Sequence, residues 1–264
     1  ISVDKGRWIT LMSILSVLAL PLTLLEYYFT KERVTEEVEN AGAESVAFAR
    51  QLGAIFSDRY MILIYAYFLI SAVGACIKNI SLVYFCNYVL GSYNDGVTQT
   101  MISVIGGIPM GIGIFAVWPL AKRFGKRNVT IAGCVLITIG SGICCMFPTD
   151  MTMMLVGQFV KNIGGLPGSY VFMALFADVL DHMEWKTGFR SDGLAMSVYN
   201  IIAVAMVGIC TGIFNGMIAG AGYVAPEIVN GVTVAAEQTQ AVKNAFIFGF
   251  VGLETITGLA MAAL

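Results

Sequence analysis

Seven apolar stretches, at about 7–29, 59–90, 98–121, 129–147, 151–180, 193–222 and 243–264, are each long enough to cross a bilayer as a helix. Nothing else in the chain limits its fold so tightly. A backbone surrounded by lipid must satisfy its own hydrogen bonds, and a helix does so within one segment. Composition agrees: 58% of the 264 residues are hydrophobic and 12% are charged, about half the charge of soluble domains. The expected fold is all-α, a polytopic membrane protein with seven transmembrane helices. The run at 59–90 exceeds the ~20 residues a crossing needs, so it should tilt or project from the bilayer.

Lys and Arg give the expected orientation. The loops at 30–58, 122–128 and 181–192 carry Lys31, Arg33, Arg50, Lys122, Arg123, Lys126, Arg127, Lys186 and Arg190, while those at 91–97, 148–150 and 223–242 carry none. Positive residues favour the cytoplasmic side, which puts the first set inside, the N-terminus outside and the C-terminus in the cytoplasm. Lys5 and Arg7 oppose this at the first run. With no initiator Met and no signal-peptide pattern, they suggest a chain that begins partway through a longer protein.

The six cysteines fall within apolar runs without a Cys-x-x-Cys, and His182 is the single histidine. That argues against a zinc site or a disulfide framework, and no cofactor is expected. A net charge of −2 without a basic-aromatic pattern gives no sign of nucleic-acid binding.

Between the first and second runs lies the longest polar segment. Val34 and Val38 share a helical face there, as do Phe48, Leu52, Ile55 and Phe56, so short amphipathic helices at the membrane surface are expected. The third and fifth runs carry Gly106-Gly107-Ile108-Pro109 and Gly164-Gly165-Leu166-Pro167, where the helices should kink. The sixth carries Gly208, Gly212, Gly216 and Gly220 on one face, a seam expected to let another helix approach closely.

Charge inside the membrane needs a partner or a wet cavity, because an unpaired one costs ~3 kcal/mol or more. Lys161 lies 10 residues after Met151 and Glu254 lies 10 after Asn244, so each sits ~15 Å deep. Equal depth and opposite sign predict a Lys161–Glu254 ion pair, with Glu254 in a structural role. Lys78, Asn79, Gln158, Lys161 and Asn162 are the candidate lining of a polar cavity, joined by Asn200 as a candidate substrate contact. At the cytoplasmic side, Lys122, Arg123, Lys126 and Arg127 face the same compartment as Asp178, Asp181, Glu184, Lys186 and Arg190. These charges are candidates for gating or interdomain contacts, although an exposed pair is worth under ~1 kcal/mol.

The run Ala177-Asp178-Val179-Leu180-Asp181-x-x-Glu184-Trp185-Lys186-Thr187-Gly188-x-Arg190-x-x-Gly193, followed by Ser197, resembles one family's signature. It is similar to the loop before the eleventh helix of the glycoside–pentoside–hexuronide:cation symporters, a branch of the major facilitator superfamily. Thr30-Lys31-Glu32-Arg33-Val34-Thr35-Glu36, Tyr84-Phe85-x-x-Tyr88-Val89-Leu90-Gly91 and the Arg-Phe-Gly-Lys-Arg run at 123–127 are supporting matches. The resemblance implies that the seven spans correspond to helices 6–12. Residues 1–29 would then be the last helix of an N-terminal bundle, 30–58 the central cytoplasmic loop with an amphipathic helix, and 59–264 the C-terminal six-helix transport bundle. It implies sodium- or proton-coupled symport of a sugar or glycoside by alternating access in the bacterial plasma membrane. The partners would be a sugar-like solute, membrane lipids and the N-terminal half of the same transporter. Cation ligands in that family lie mainly in the first half, so none is implied here. Many members carry a Lys midway along the eleventh helix, where this chain has Val204.

The alternatives are a lysolipid or other solute carrier of a related branch and, from another class, a seven-helix receptor. A retinal protein would need a mid-span Lys in the last run, which has only Lys243 at its mouth. A membrane enzyme would want a His/Asp/Glu cluster at one depth, and the scattered acids do not provide it.

Overall fold

The computed structural model describes residues 5–29, 47–91, 93, 95–229, 232–234 and 236–264. The chain divides into two units, 1–45 and 46–264. The first contributes α1 (Lys5–Phe29), an apolar helix with Pro21 inside it and a membrane-length stretch at Ile9–Glu26. Val34 and Val38 lie outside the described residues.

The second unit begins with α2 (Phe48–Ser57), followed by α3 (Arg59–Tyr88), α4 (Gly96–Phe124), α5 (Lys126–Met146), α6 (Met151–Tyr170), α7 (Phe172–Thr187) and α8 (Asp192–Gly220). A two-stranded antiparallel hairpin, β1 (Glu227–Val229) and β2 (Val232–Val234), then leads to α9 (Gln240–Ile247), a π turn at Phe248–Gly252 and α10 (Leu253–Ala263). The hairpin is the one departure from the expected all-helical fold among the described residues. Among the described residues six helical stretches are long and apolar enough to span a membrane, with α6–α7 and α9–α10 each counted as one, or seven when the bent α4 counts as one span. Aspartates open three of them. Asp58 accepts from the N–H of Tyr60 and Met61, Asp95 from Val97 and Thr98, and Asp150 from Thr152 and Met153. Each such cap contributes about 1 kcal/mol by satisfying backbone donors that the first turn leaves free.

Several sequence expectations meet the structure here. Helix α4 bends by 56° between Gly113 and Phe115, beyond the Gly106–Pro109 break. Pro119 explains the place, since its ring displaces the carbonyl four residues back, at Phe115. In the second break, α6 stays helical through Pro167 and gives way only at Val171, after which α7 continues to Thr187. The charges 178–186 are therefore helical, not looped; Gly188, at φ +75°, takes the left-handed cap that ends the helix. On α2, Ile55 is buried while Phe48 and Phe56, on the same apolar side of the helix, are exposed. Among the described residues nothing lies near the position a Cβ would take on the α8 glycines 208, 212, 216 and 220. Helix α8 packs through Cys210, Phe214 and Ile218 instead, against Ile77 of α3 and Val242 and Phe246 of α9.

Close helix approach occurs between α5 and α6. A Cβ on Gly140 would lie 2.6 Å from both the Gly157 carbonyl and the Lys161 nitrogen, and one on Gly133 would lie 2.5 Å from the Gly164 carbonyl. Two glycines seven residues apart on each helix let the backbones touch. Helix α10 is seated in the same way between α3 and α5, through Gly74 against Thr257 and Gly258 against Thr138. These contacts fix the depth and rotation of the charges described next.

Candidate functional site

Three helices deliver three charges to one place. Lys161 of α6 is 3% exposed, and its Nζ lies 2.5 Å from Glu254 Oε2 at the start of α10. The expected pair is thus formed, and it has a third member. Lys78 Nζ of α3 lies 3.8 Å from Glu254 Oε1, so one carboxylate is shared by two ammonium groups. Glu254 is more than a partner for Lys161: it bridges α3 and α6. The Lys161 ammonium also sits 5.6 Å from the centre of the Phe250 ring, which stacks on Phe85 at 4.6 Å. Phe250 lies in the π turn just before Glu254, a helix irregularity that recurs at functional sites. The sequence carries no pattern that announces it.

Beside the cluster is a cavity of about 190 Å³. Lys78, Asn79, Gln158 and Asn162 line it, together with Ser103 of α4, which sequence reasoning missed; Lys161, expected in that lining, is not part of it, because its ammonium is turned to Glu254. Gln158 and Asn162 are four residues apart and share a face of α6 with Lys161. Gln158 is 1% exposed, and its amide nitrogen has only a long contact, 4.0 Å, to the Met154 sulfur. Asn200 is not among the lining residues; it lies on the exposed side of α8, a helix that packs mainly against α3 and α9 and, through Tyr199, against Phe172 and Phe176 of α7.

A second charged constellation surrounds the end of α7. Lys126 Nζ meets Asp178 Oδ2 at 2.7 Å, so one of the expected pairs across the two basic and acidic segments is formed. Lys122 instead lies over the ring of Trp118, one turn back on its own helix, and Arg123 over Phe124. Arg127 lines a cavity of about 320 Å³ with Tyr60, Tyr67 and Phe172. Arg190 pairs with Asp192 at 2.6 Å and Glu184 at 3.5 Å; Asp192 above all, then Glu184 and, more weakly, Asp181, push its pKa up. Asp181 is exposed.

The centre of this web is Asp58, which the sequence reading left at the end of a polar loop. It is 3% exposed, caps α3 and accepts from Lys186 Nζ at 3.2 Å, with His182 Nε2 at 3.9 Å. Burial alone would raise its pKa, but the N–H groups of Met61 and Tyr60 and the Lys186 ammonium outweigh it and hold the carboxyl below its ordinary 3.8. An Asp directly before an apolar run was the available signal for the cap; its pairing with Lys186 had none.

Comparison with known proteins gives a consistent result. Residues 2–264 match the family described as MFS/sugar transport protein. A protein of Salmonella typhimurium, named provisionally a sulfoquinovose importer, is 27% identical over 209 residues, covering 77% of this chain and 42% of that protein. The isoprimeverose transporter of Lactiplantibacillus pentosus is 25% identical, covering 83% of this chain and 44% of its own length. The raffinose carrier protein of Pediococcus pentosaceus is 25% identical over 64% of this chain and 26% of its own. The chain thus spans less than half the length of these relatives.

Proposed function

This chain belongs to the MFS/sugar transport protein family, and from that premise we propose that it is the C-terminal portion of a sugar or glycoside symporter. In this reading sodium or protons drive uptake by alternating access, and the spans are helices 6–12, with α1 outermost at its N-terminus and α10 ending in the cytoplasm. The observation that carries the proposal is a polar cavity set beside buried charge in an otherwise apolar bundle: Lys78, Asn79, Ser103, Gln158 and Asn162 beside the Lys161–Glu254 pair. Membrane-interior polarity is costly enough to need a use, and a solute rich in hydroxyls supplies one. The N-terminal half would complete the cavity and hold the coupling ion. The web around Asp58 and Lys126–Asp178 would close the cytoplasmic end, parting as the two bundles rock. It is no enzyme: the family carries solutes, and the site needs only to bind and release.

The test is solute-driven sodium and proton flux in vesicles holding the full-length transporter, screened over galactosides, glucosides, xylosides and glucuronides, with Lys161→Ala alongside. Ion movement on adding one glycoside, lost in the variant, is the expected result. Flux that survives Lys161→Ala returns that residue to a packing role, and silence over the whole panel overturns the sugar assignment.

A further inference from the structure

We propose that the cavity beside Lys78 is a binding site for one monovalent inorganic anion, a halide such as chloride, held between α3, α4 and α6. The inference stands apart from the transport reading above, since it assigns the cavity a resident ion and not a transported solute.

Lys78 lies 10 residues before the end of α3 at Tyr88, so its side chain begins ~15 Å inside the span. Lys78 and Lys161 bring two positive charges to Glu254's one. Among the described residues no other carboxylate lies within 4 Å of either lysine. The cluster is therefore cationic by one, in a setting where unbalanced charge is costly. A single negative charge cancels the surplus, whereas a divalent anion would reverse it.

The two lysines share the carboxylate unequally. Lys161 has a side chain 3% exposed, holds Glu254 at 2.5 Å and does not line the cavity. Lys78 has a side chain 23% exposed, stands 3.8 Å from the same carboxylate and faces the cavity. The surplus charge is thus on the side that an ion from solution can reach, and the Lys161–Glu254 pair behind it is already neutral.

The lining selects the sign of the ion. Its polar residues are Lys78 and Asn79 of α3, Ser103 of α4, and Gln158 and Asn162 of α6, with no acid among them. An ammonium, three amides and a hydroxyl can all donate to an anion, whereas a cation would meet only neutral oxygens beside a repelling lysine. Gln158 is 1% exposed, and among the described residues its amide nitrogen has no oxygen partner, only the Met154 sulfur at 4.0 Å. A buried donor in that state calls for an acceptor. About 190 Å³ is room for an ion and a few waters at ~30 Å³ each, and it falls below the ~300–1,000 Å³ of a complete organic-ligand site.

The experiment measures halide binding by the full-length transporter, purified in detergent in sodium gluconate. Chloride or bromide then replaces gluconate at constant sodium and ionic strength. The readouts are radiolabelled chloride in equilibrium dialysis and the thermal transition. The expected results are one chloride bound per transporter and a saturable rise of several degrees, because a ligand stabilises the state that holds it. Lys78→Gln should lose both the bound chloride and the rise. In gluconate it should melt no lower than the unmodified protein, since the pair left behind is neutral. Lys78→Arg should keep the site, and Gln158→Leu should weaken it severalfold, which decides the matter where Lys78→Gln does not fold. No saturable chloride binding by the unmodified protein overturns the inference, and so does binding that is undiminished in the folded variants. Glycoside flux without bound chloride removes this inference and leaves transport standing. Bound chloride with silence over the whole glycoside panel supports the anion site and removes only the transport reading.

Discussion

Lysine–carboxylate pairs occur at both ends of a wide range of burial in this bundle, and the contrast shows what each can do. Lys161 and Glu254 have side chains 3% and 12% exposed, whereas Lys126 and Asp178 are 40% and 55% exposed at almost the same separation. In water such a pair gains little and breaks cheaply. Inside the bundle, removal of one partner leaves an uncompensated charge, so the pair persists unless another ion replaces the lost one. The exposed pair can therefore be lost at little cost, and the buried one cannot. Asp58 stands between them, a buried carboxylate whose Lys186 partner is half in water.

The sharpest way to break this contrast is Glu254→Gln, which strands two lysines. It should destabilise the unliganded protein by about 3–5 kcal/mol, read as a lower thermal transition in detergent. Should it cost no more than Lys126→Ala, burial is not what separates the two regions. Next comes Gly140→Ala. Its new methyl would press on the Lys161 backbone, with an expected cost of about 1–3 kcal/mol, while Gly212→Ala on the open face of α8 should cost nothing. Equal effects at the two glycines would mean that the α5–α6 contact does not hold Lys161 in place.

Asp58→Asn keeps the helix cap but loses the charge on Lys186, for an expected loss of about 1 kcal/mol at neutral pH. The carboxyl's pKa is lowered in the folded protein, so its contribution is present above the ordinary 3.8 and lost as pH falls through the lower folded value. The difference in stability between the two proteins should therefore be flat from neutral pH to about 5 and shrink only below about 4. Lys126→Ala is the smallest, under ~1 kcal/mol and vanishing at high salt.

How much of this was legible in the chain follows from what each inference needed. Span positions and the Lys161–Glu254 pair required only hydropathy and depth, which are linear in sequence. The second lysine on Glu254 required knowing that Lys78 points between α6 and α10, a matter of helix rotation. The glycine seams divide on the same ground. Four glycines on α8 mark a smooth face but not what covers it, whereas Gly133, Gly140, Gly157 and Gly164 become meaningful only when α5 and α6 are set side by side. Asp58 was missed because its partners, Lys186 and His182, are more than a hundred residues away.

The π turn at Phe248–Gly252 has a further consequence. A helix advances ~100° per residue, so one residue too many in a turn shifts the azimuth of everything beyond it. Here Phe246 faces α3 and α8, while Glu254, past the turn, faces Lys78 and Lys161. Deletion of a single residue between 248 and 252 would close the turn to regular winding and leave Glu254 on the side of both lysines, whereas regular winding with every residue kept would swing the carboxylate by ~100°, away from them. In this last span residue count is itself a coordinate: the extra residue held in the wide turn acts as a dial, and it sets which side of the helix faces α3 and α6.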